Sequence, residues 1–179
     1  MRSRLSVIVA ASALAAALLS GCTGEPAPVV STPSFATEDE AFAAAEQTYR
    51  NYVDALNQVD LSDPATFEPM YSWTSGDLNA AVRESYSQMH ADGWTQSGDA
   101  SIDSIAILEP GDNGALQLAI CLRVADIEVV DRDGNSVVSP DRLPVQSIAT
   151  LMTPSPSSPT GFKLSAIDGR KGEPTCSAS

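Results

Sequence analysis

The spacing of apolar positions changes twice along this chain. From Leu5 to Leu19 the residues are mostly Ala, Leu, Val and Ile, and none is charged. Further on, Phe42, Ala45, Tyr49, Tyr52, Leu56 and Val59 recur three or four apart, which gathers them on one face of a long helix. Beyond Trp94 the period shortens. Ile102, Ile105 and Ile107, then Leu116, Leu118, Ile120, Leu122 and Val124, read as strands, the second set alternating cleanly.

Local signals bound these elements. Thr37-Glu38-Asp39-Glu40 fits a capping box, with the Thr hydroxyl on the backbone and Glu40 reaching back. Its acids also complement the positive end of the helix dipole. Asp63-Pro64 predicts a short helical turn through Phe67, limited by Pro69. Thr74 or Ser75 caps a third helix carrying Leu78, Val82, Tyr86 and Met89, and Gly93 stops it. Residues 111–114 form a turn between the first two strands, and Ile127 to Val130 is expected to prolong the second. Val137-Val138 returns across Asp133-Gly134-Asn135, Val145 to Met152 is another strand, and Phe162 to Ile167 is the last. Helices followed by a run of antiparallel strands make an α+β pattern.

That order of elements is similar to the NTF2-like fold over residues 37–170. The resemblance implies N-terminal helices packed on a curved antiparallel sheet that wraps them into a cone. A cystatin-like sheet with a single helix is the alternative, and the two additional helical segments argue against it.

The first apolar stretch has a different meaning. Arg2 and Arg4 precede it and small residues end it, the layout of a secretory signal. It is shorter than the roughly 20 residues a membrane-spanning helix needs. Leu19-Ser20-Gly21-Cys22 resembles the lipobox of bacterial lipoproteins. In that family the Cys thiol receives a diacylglycerol, a peptidase cuts before it, and the new amine is often acylated as well, with chains such as palmitate. The resemblance implies a signal peptide at 1–21, lipidation at Cys22 and a tether over 22–36. The domain, with its C-terminal tail, then runs over 37–179. Pro26, Pro28 and Pro33 make the tether PPII-like, with a reach of about 40 Å if extended.

Charge sharpens this picture. The chain holds 10 Lys+Arg against 23 Asp+Glu, a formal charge of −13, which excludes a general nucleic-acid binder. Losing Arg2 and Arg4 would leave the remainder more acidic still. Attraction to anionic headgroups then cannot hold it, and two or more acyl chains on Cys22 must. Its partners are therefore expected to be the bilayer, through acylated Cys22, and an envelope protein or small ligand at the extracytoplasmic face of the cell membrane. With Cys22 assigned to lipid, Cys121 and Cys176 remain as an even pair in an exported chain and are expected to bridge.

Candidate chemistry is sparse. The single His, His90, would have to serve any Ser-His-Asp or Cys-His relay, and its place at a helix end reads as a cap. Asp131-Arg132-Asp133-Gly134-Asn135 has the oxygens of a Ca²⁺ loop but lacks the Gly and Glu spacing of an EF-hand, so a hairpin turn is the better reading. Neither a metal nor a cofactor is expected. Tyr49, Tyr52, Phe67, Tyr71, Trp73 and Trp94 are candidates to line or plug the mouth of a cone. Some NTF2-like enzymes, the ketosteroid isomerases, pair an Asp base with Tyr and Asp donors. Asp103 and Asp126 supply the residue types here, without a matching motif. The expected role is a non-catalytic binding or interaction module of the envelope. The alternative is a small-molecule binder or an isomerase- or cyclase-type enzyme using the cone.

Overall fold

A computed structural model of the chain describes residues 33–177. The expected signal peptide, Cys22 and most of the expected tether lie outside the described residues. The fold is α+β. Helix α1 spans Glu38–Leu56, α2 Phe67–Tyr71 and α3 Gly76–Ala91. Six strands follow: β1 Thr95–Ser97, β2 Ser101–Pro110, β3 Leu116–Arg123, β4 Glu128–Val130, β5 Val145–Pro154 and β6 Phe162–Gly169. Four of them form an antiparallel sheet in the order β2-β3-β5-β6, and β1 pairs with β4 in a separate ribbon. Among the described residues, no helix is long and apolar enough to cross a membrane.

Helix α1 starts where the capping box places it. Thr37 Oγ1 accepts the Glu40 N–H at 3.1 Å, while Glu40 reaches back one residue beyond the cap, to the Ala36 N–H at 2.9 Å. The helix stops at Leu56, short of Val59. Asn57 turns its side chain away to make two 2.9 Å bonds to the Ala100 backbone, one donated and one accepted. Those bonds tie the helix end to the start of β2. Order also begins upstream of the cap, because the Phe35 ring stacks on Phe162 at 5.0 Å and 3°. The Pro-rich stretch is therefore docked on the sheet by its last residues.

Two expectations are corrected by local geometry. Pro69 does not limit the second helical segment but lies within α2, which follows a 3₁₀ turn at Pro64–Thr66. It occupies the first turn, where a backbone N–H has no helical partner to lose. Ile127 to Val130 does not prolong β3 either. The chain turns at Ala125-Asp126, with Ile127 N–H on the Val124 carbonyl at 3.1 Å, and Arg142 donates to the carbonyls of both Val124 and Ile127. The segment so released pairs with β1, which the alternation did not reveal. Val137-Val138 makes only a bridge-like return, through Val137 N–H to the Val129 carbonyl.

Strand β3 is the centre of the core. Leu116, Leu118, Ile120 and Leu122 face the helices and meet Tyr49, Val53, Met70, Met152 and Phe162 in one cluster. Register shifts in β2, between Ile102 and Ser104 and between Ile107 and Glu109, keep Ile102, Ile105, Ile107 and Pro110 opposite that apolar row. Each bulge also bends the strand. Arg123 holds Asp103, within the first bulge, by paired bonds of 3.1 and 2.8 Å. On the opposite face of β3, Ala119 and Cys121 are also buried. There Cys121 is bonded to Cys176, closing a separation of 55 residues. A loop of that size contributes about 4 kcal/mol in the chain-entropy account.

Gly98 joins the two sheets and has no room for a side chain. Its φ is +80°, and a Cβ there would fall 1.8 Å from the Asp126 carbonyl oxygen. Gly76 has a similar φ of +58° with open space around it. Gly76→Ala should therefore cost about 1–2 kcal/mol, the left-handed backbone penalty alone. Gly98→Ala should cost more than that and weaken the β1–β4 ribbon. Denaturant midpoints of the two variants check this; equal losses would contradict it.

Candidate functional site

The aromatic residues singled out in the sequence do not line one cavity. Tyr49 and Tyr52 project from α1 into the core, 1% and 7% exposed, with ring centroids 5.9 Å apart. Phe67 and Tyr71, from α2, are also buried and meet edge to face at 6.1 Å. Tyr86 of α3 contacts both, at 5.6 and 6.3 Å. Trp73 is half-buried beyond α2, where its carbonyl accepts the Leu164 N–H of β6. Trp94 is also half-buried and stands apart with Glu84, Met89 and Asp92. Tilted and edge-to-face rings of this kind are core packing.

Burial governs the chemistry of this cluster. Taking the phenols out of water disfavours their charged forms, pushing Tyr52 up to about 12 and Tyr49 and Tyr86 higher still. Tyr52 adds charge repulsion to both of those neighbours. Tyr71 is raised too, by burial, although Arg83 sits 4.3 Å over its ring and works the other way. Arg83 is held there by Glu68, through bonds of 2.8 and 3.0 Å. The same bonds lower the Glu68 carboxyl. Phenols this hard to ionise are poor proton donors and acceptors near neutral pH.

The candidate acids lie elsewhere. Asp103 is on the exposed flank of β2 with Arg123, and Asp126 is exposed in the turn after β3. Neither is brought against Tyr49 or Tyr52. His90 stacks its edge on Phe67, and its Nδ1 lies 2.7 Å from the Leu61 carbonyl, a contact that ties α3 to the loop after α1. Asp131 spends its carboxylate on its own turn, accepting the N–H groups of Asp133 and Asn135 at 2.9 Å each. The Asn135 backbone bond is foremost in holding the Asp131 carboxyl below its ordinary pKa. Among the described residues, no group of His, Cys, Asp and Glu is arranged to hold a metal ion.

The feature that sequence reasoning missed is an apolar groove of about 450 Å³ beside the start of α1. Phe35 and Ala41 form one wall, and Ile107, Pro110, Leu116 and Pro154 form the other. Ile107 lies on the core side of the sheet yet is 45% exposed, because α1 begins too late to cover it. Its alternation marked it as core; only the docking of Phe35 ahead of the cap reveals the groove.

No protein-family model matches the chain, and no curated protein matches it. Among solved structures, it is similar to a periplasmic fragment of TraM at 14% identity and a TM-score of 0.43. That match covers 77% of this chain and 100% of the other. The periplasmic domain of DotI is similar at the same identity and TM-score, covering 78% and 99%. Nothing about the role of this chain follows from likeness at that level.

The tyrosines supply a test of the packing. The chain has four, and all are raised above the ordinary phenol value near 10. A phenol whose folded value is raised stabilises the fold fully below its unfolded value, and that contribution is lost as pH climbs through the folded value. Stability should therefore fall from about pH 10 upward. Phenolate absorbance should then appear together with loss of near-ultraviolet dichroism. Phenolate formation near pH 10 with the dichroism intact would contradict the buried cluster.

Proposed function

We propose that this protein is a lipid-anchored extracytoplasmic lipoprotein whose domain is NTF2-like and acts as a non-catalytic binding or interaction module of the cell envelope. The observation that carries this reading is the partition of its three cysteines. Cys121 and Cys176 are joined, which fits an oxidising compartment. That leaves Cys22 alone, at the end of Leu19-Ser20-Gly21, where a lipoprotein requires it. The acidity of the chain fits attachment through acyl chains rather than through charge.

Three further features support binding over catalysis. The tyrosines pack against one another in the core, Asp103 is committed to Arg123, and His90 to the Leu61 carbonyl. Helices laid over a bulged antiparallel sheet fit the NTF2-like resemblance. In this reading the residues from Cys22 onward carry the domain away from the bilayer, up to the point where Phe35 docks.

Metabolic labelling with a clickable palmitate analogue tests the anchor. The wild-type chain should become labelled and sediment with membranes, while Cys22→Ser should be unlabelled and retain an intact Cys121–Cys176 bond. Labelling that survives the substitution would overturn the anchor.

A further inference from the structure

The four-stranded sheet has one covered edge and one open edge. On the β6 side, the stretch after α2 lies alongside: Leu164 N–H donates to the Trp73 carbonyl at 2.9 Å, and Ser75 N–H to the Leu164 carbonyl at 2.8 Å. On the other side, β2 pairs only with β3 among the described residues. Its outer N–H and C=O groups face away from the sheet over a run, Ser104 to Leu108, that contains no charged residue. Natural edges are usually blunted by charge, bulges or a cover, because an open one templates pairing with another chain. Here the bulges fall at Asp103 and Leu108 and the acids at Asp103 and Glu109, which leaves Ser104 to Ile107 in regular register.

The same strand supplies a wall of the apolar groove, through Ile107 and Pro110. Open backbone and side-chain pocket are thus contiguous. The surroundings are of one sign. Glu38 lines the groove, Glu109 and Asp112 adjoin its Pro110 and Gly111 in sequence, and among the described residues neither Lys nor Arg lines it. From this geometry we propose that β2 receives an extended segment of a partner protein as an added strand. That segment carries alternate apolar side chains, which enter the groove, and Lys or Arg side chains, which meet the acids. The proposal deepens the binding-module reading above, on which it rests, by naming the class of partner.

Three elements of recognition divide the work. Main-chain bonds to β2 supply affinity without sequence preference, and the groove selects apolar side chains at every second position. The carboxylates favour a basic segment and reject acidic ones, raising the encounter rate and making it dependent on salt. A second copy of this chain is disfavoured at the same place. Two-fold pairing of β2 would bring Glu109 and Asp112 of each copy to one interface, with a chain charge of −13 on both.

The test uses the full-length protein in mild detergent and three end-blocked synthetic peptides. One alternates Val with Lys, one alternates Val with Glu, and the third is the Val–Lys peptide N-methylated at every second amide. In the free protein, the outward amides between Ser104 and Leu108 should exchange rapidly. The Val–Lys peptide should slow them and bind about tenfold or more tightly than either other peptide. Ile107→Lys, at a half-exposed position, should weaken Val–Lys binding about tenfold while leaving the remaining exchange pattern unaltered. Equal binding of all three peptides, or protection outside β2, would overturn the proposal. So would outward amides already slow in the free protein, since a second copy or the chain's own upstream segment would then occupy the edge. These readouts do not involve Cys22, so their failure and a failure of the anchor are separable.

Discussion

Burial of β3 on both faces is the constraint that organises this protein. One face is an ordinary core: Leu118 and Ile120 are fully covered by α1 and its neighbours. Among the described residues, no helix covers the other. It is closed by the C-terminal tail, which Arg170 N–H ties to the Ser147 carbonyl at 2.8 Å and the Cys121–Cys176 bond fixes to β3 itself. A sheet face covered by so few residues gains little from apolar burial, and a covalent tie that shortens the unfolded chain's freedom offsets that deficit. The same bond settles the fate of two cysteines, and so gives the third its meaning.

The consequences spread outward from that strand. Because β3 is central, β2 and β5 flank it, and the two outer positions fall to β2 and β6. The segment after α2 closes the β6 edge, whereas β2 is left to the bulges at its ends. The late start of α1 then exposes Ile107 on the core side of that open edge, and Phe35 completes a groove there. Among the described residues the aromatic interior brings no acid–base pair together, and the surface presents an edge and a groove.

Much of this was legible in the residues, and what was not has identifiable causes. Period-three-to-four spacing located α1 and α3, and clean alternation located β3, because each has one strongly buried face. Thr37 marked the helix start through a capping pattern that Thr37 and Glu40 still make. The apolar spacing runs on to Val59, past the end of α1, because the stop is a tertiary one, the Asn57–Ala100 pair. Strand β1 is not legible because Thr95–Ser97 carries no apolar alternation, and β4 reads as an extension of β3 because the turn at Ala125-Asp126 depends on Arg142 from a distant loop. The tyrosines were legible as a group. Their packing into one another rather than around a cavity depends on α2, whose Pro69 read as a stop.

The central claim is the division of three cysteines between one lipid and one bridge. Thiol titration of the full-length protein, extracted from membranes and denatured without reductant, tests it most directly. The account predicts no free thiol before reduction and two after it, because Cys22 would be held as a thioether and Cys121 with Cys176 as a disulfide. One free thiol before reduction and three after it would leave the bridge in place and contradict the anchor on which the proposed function stands.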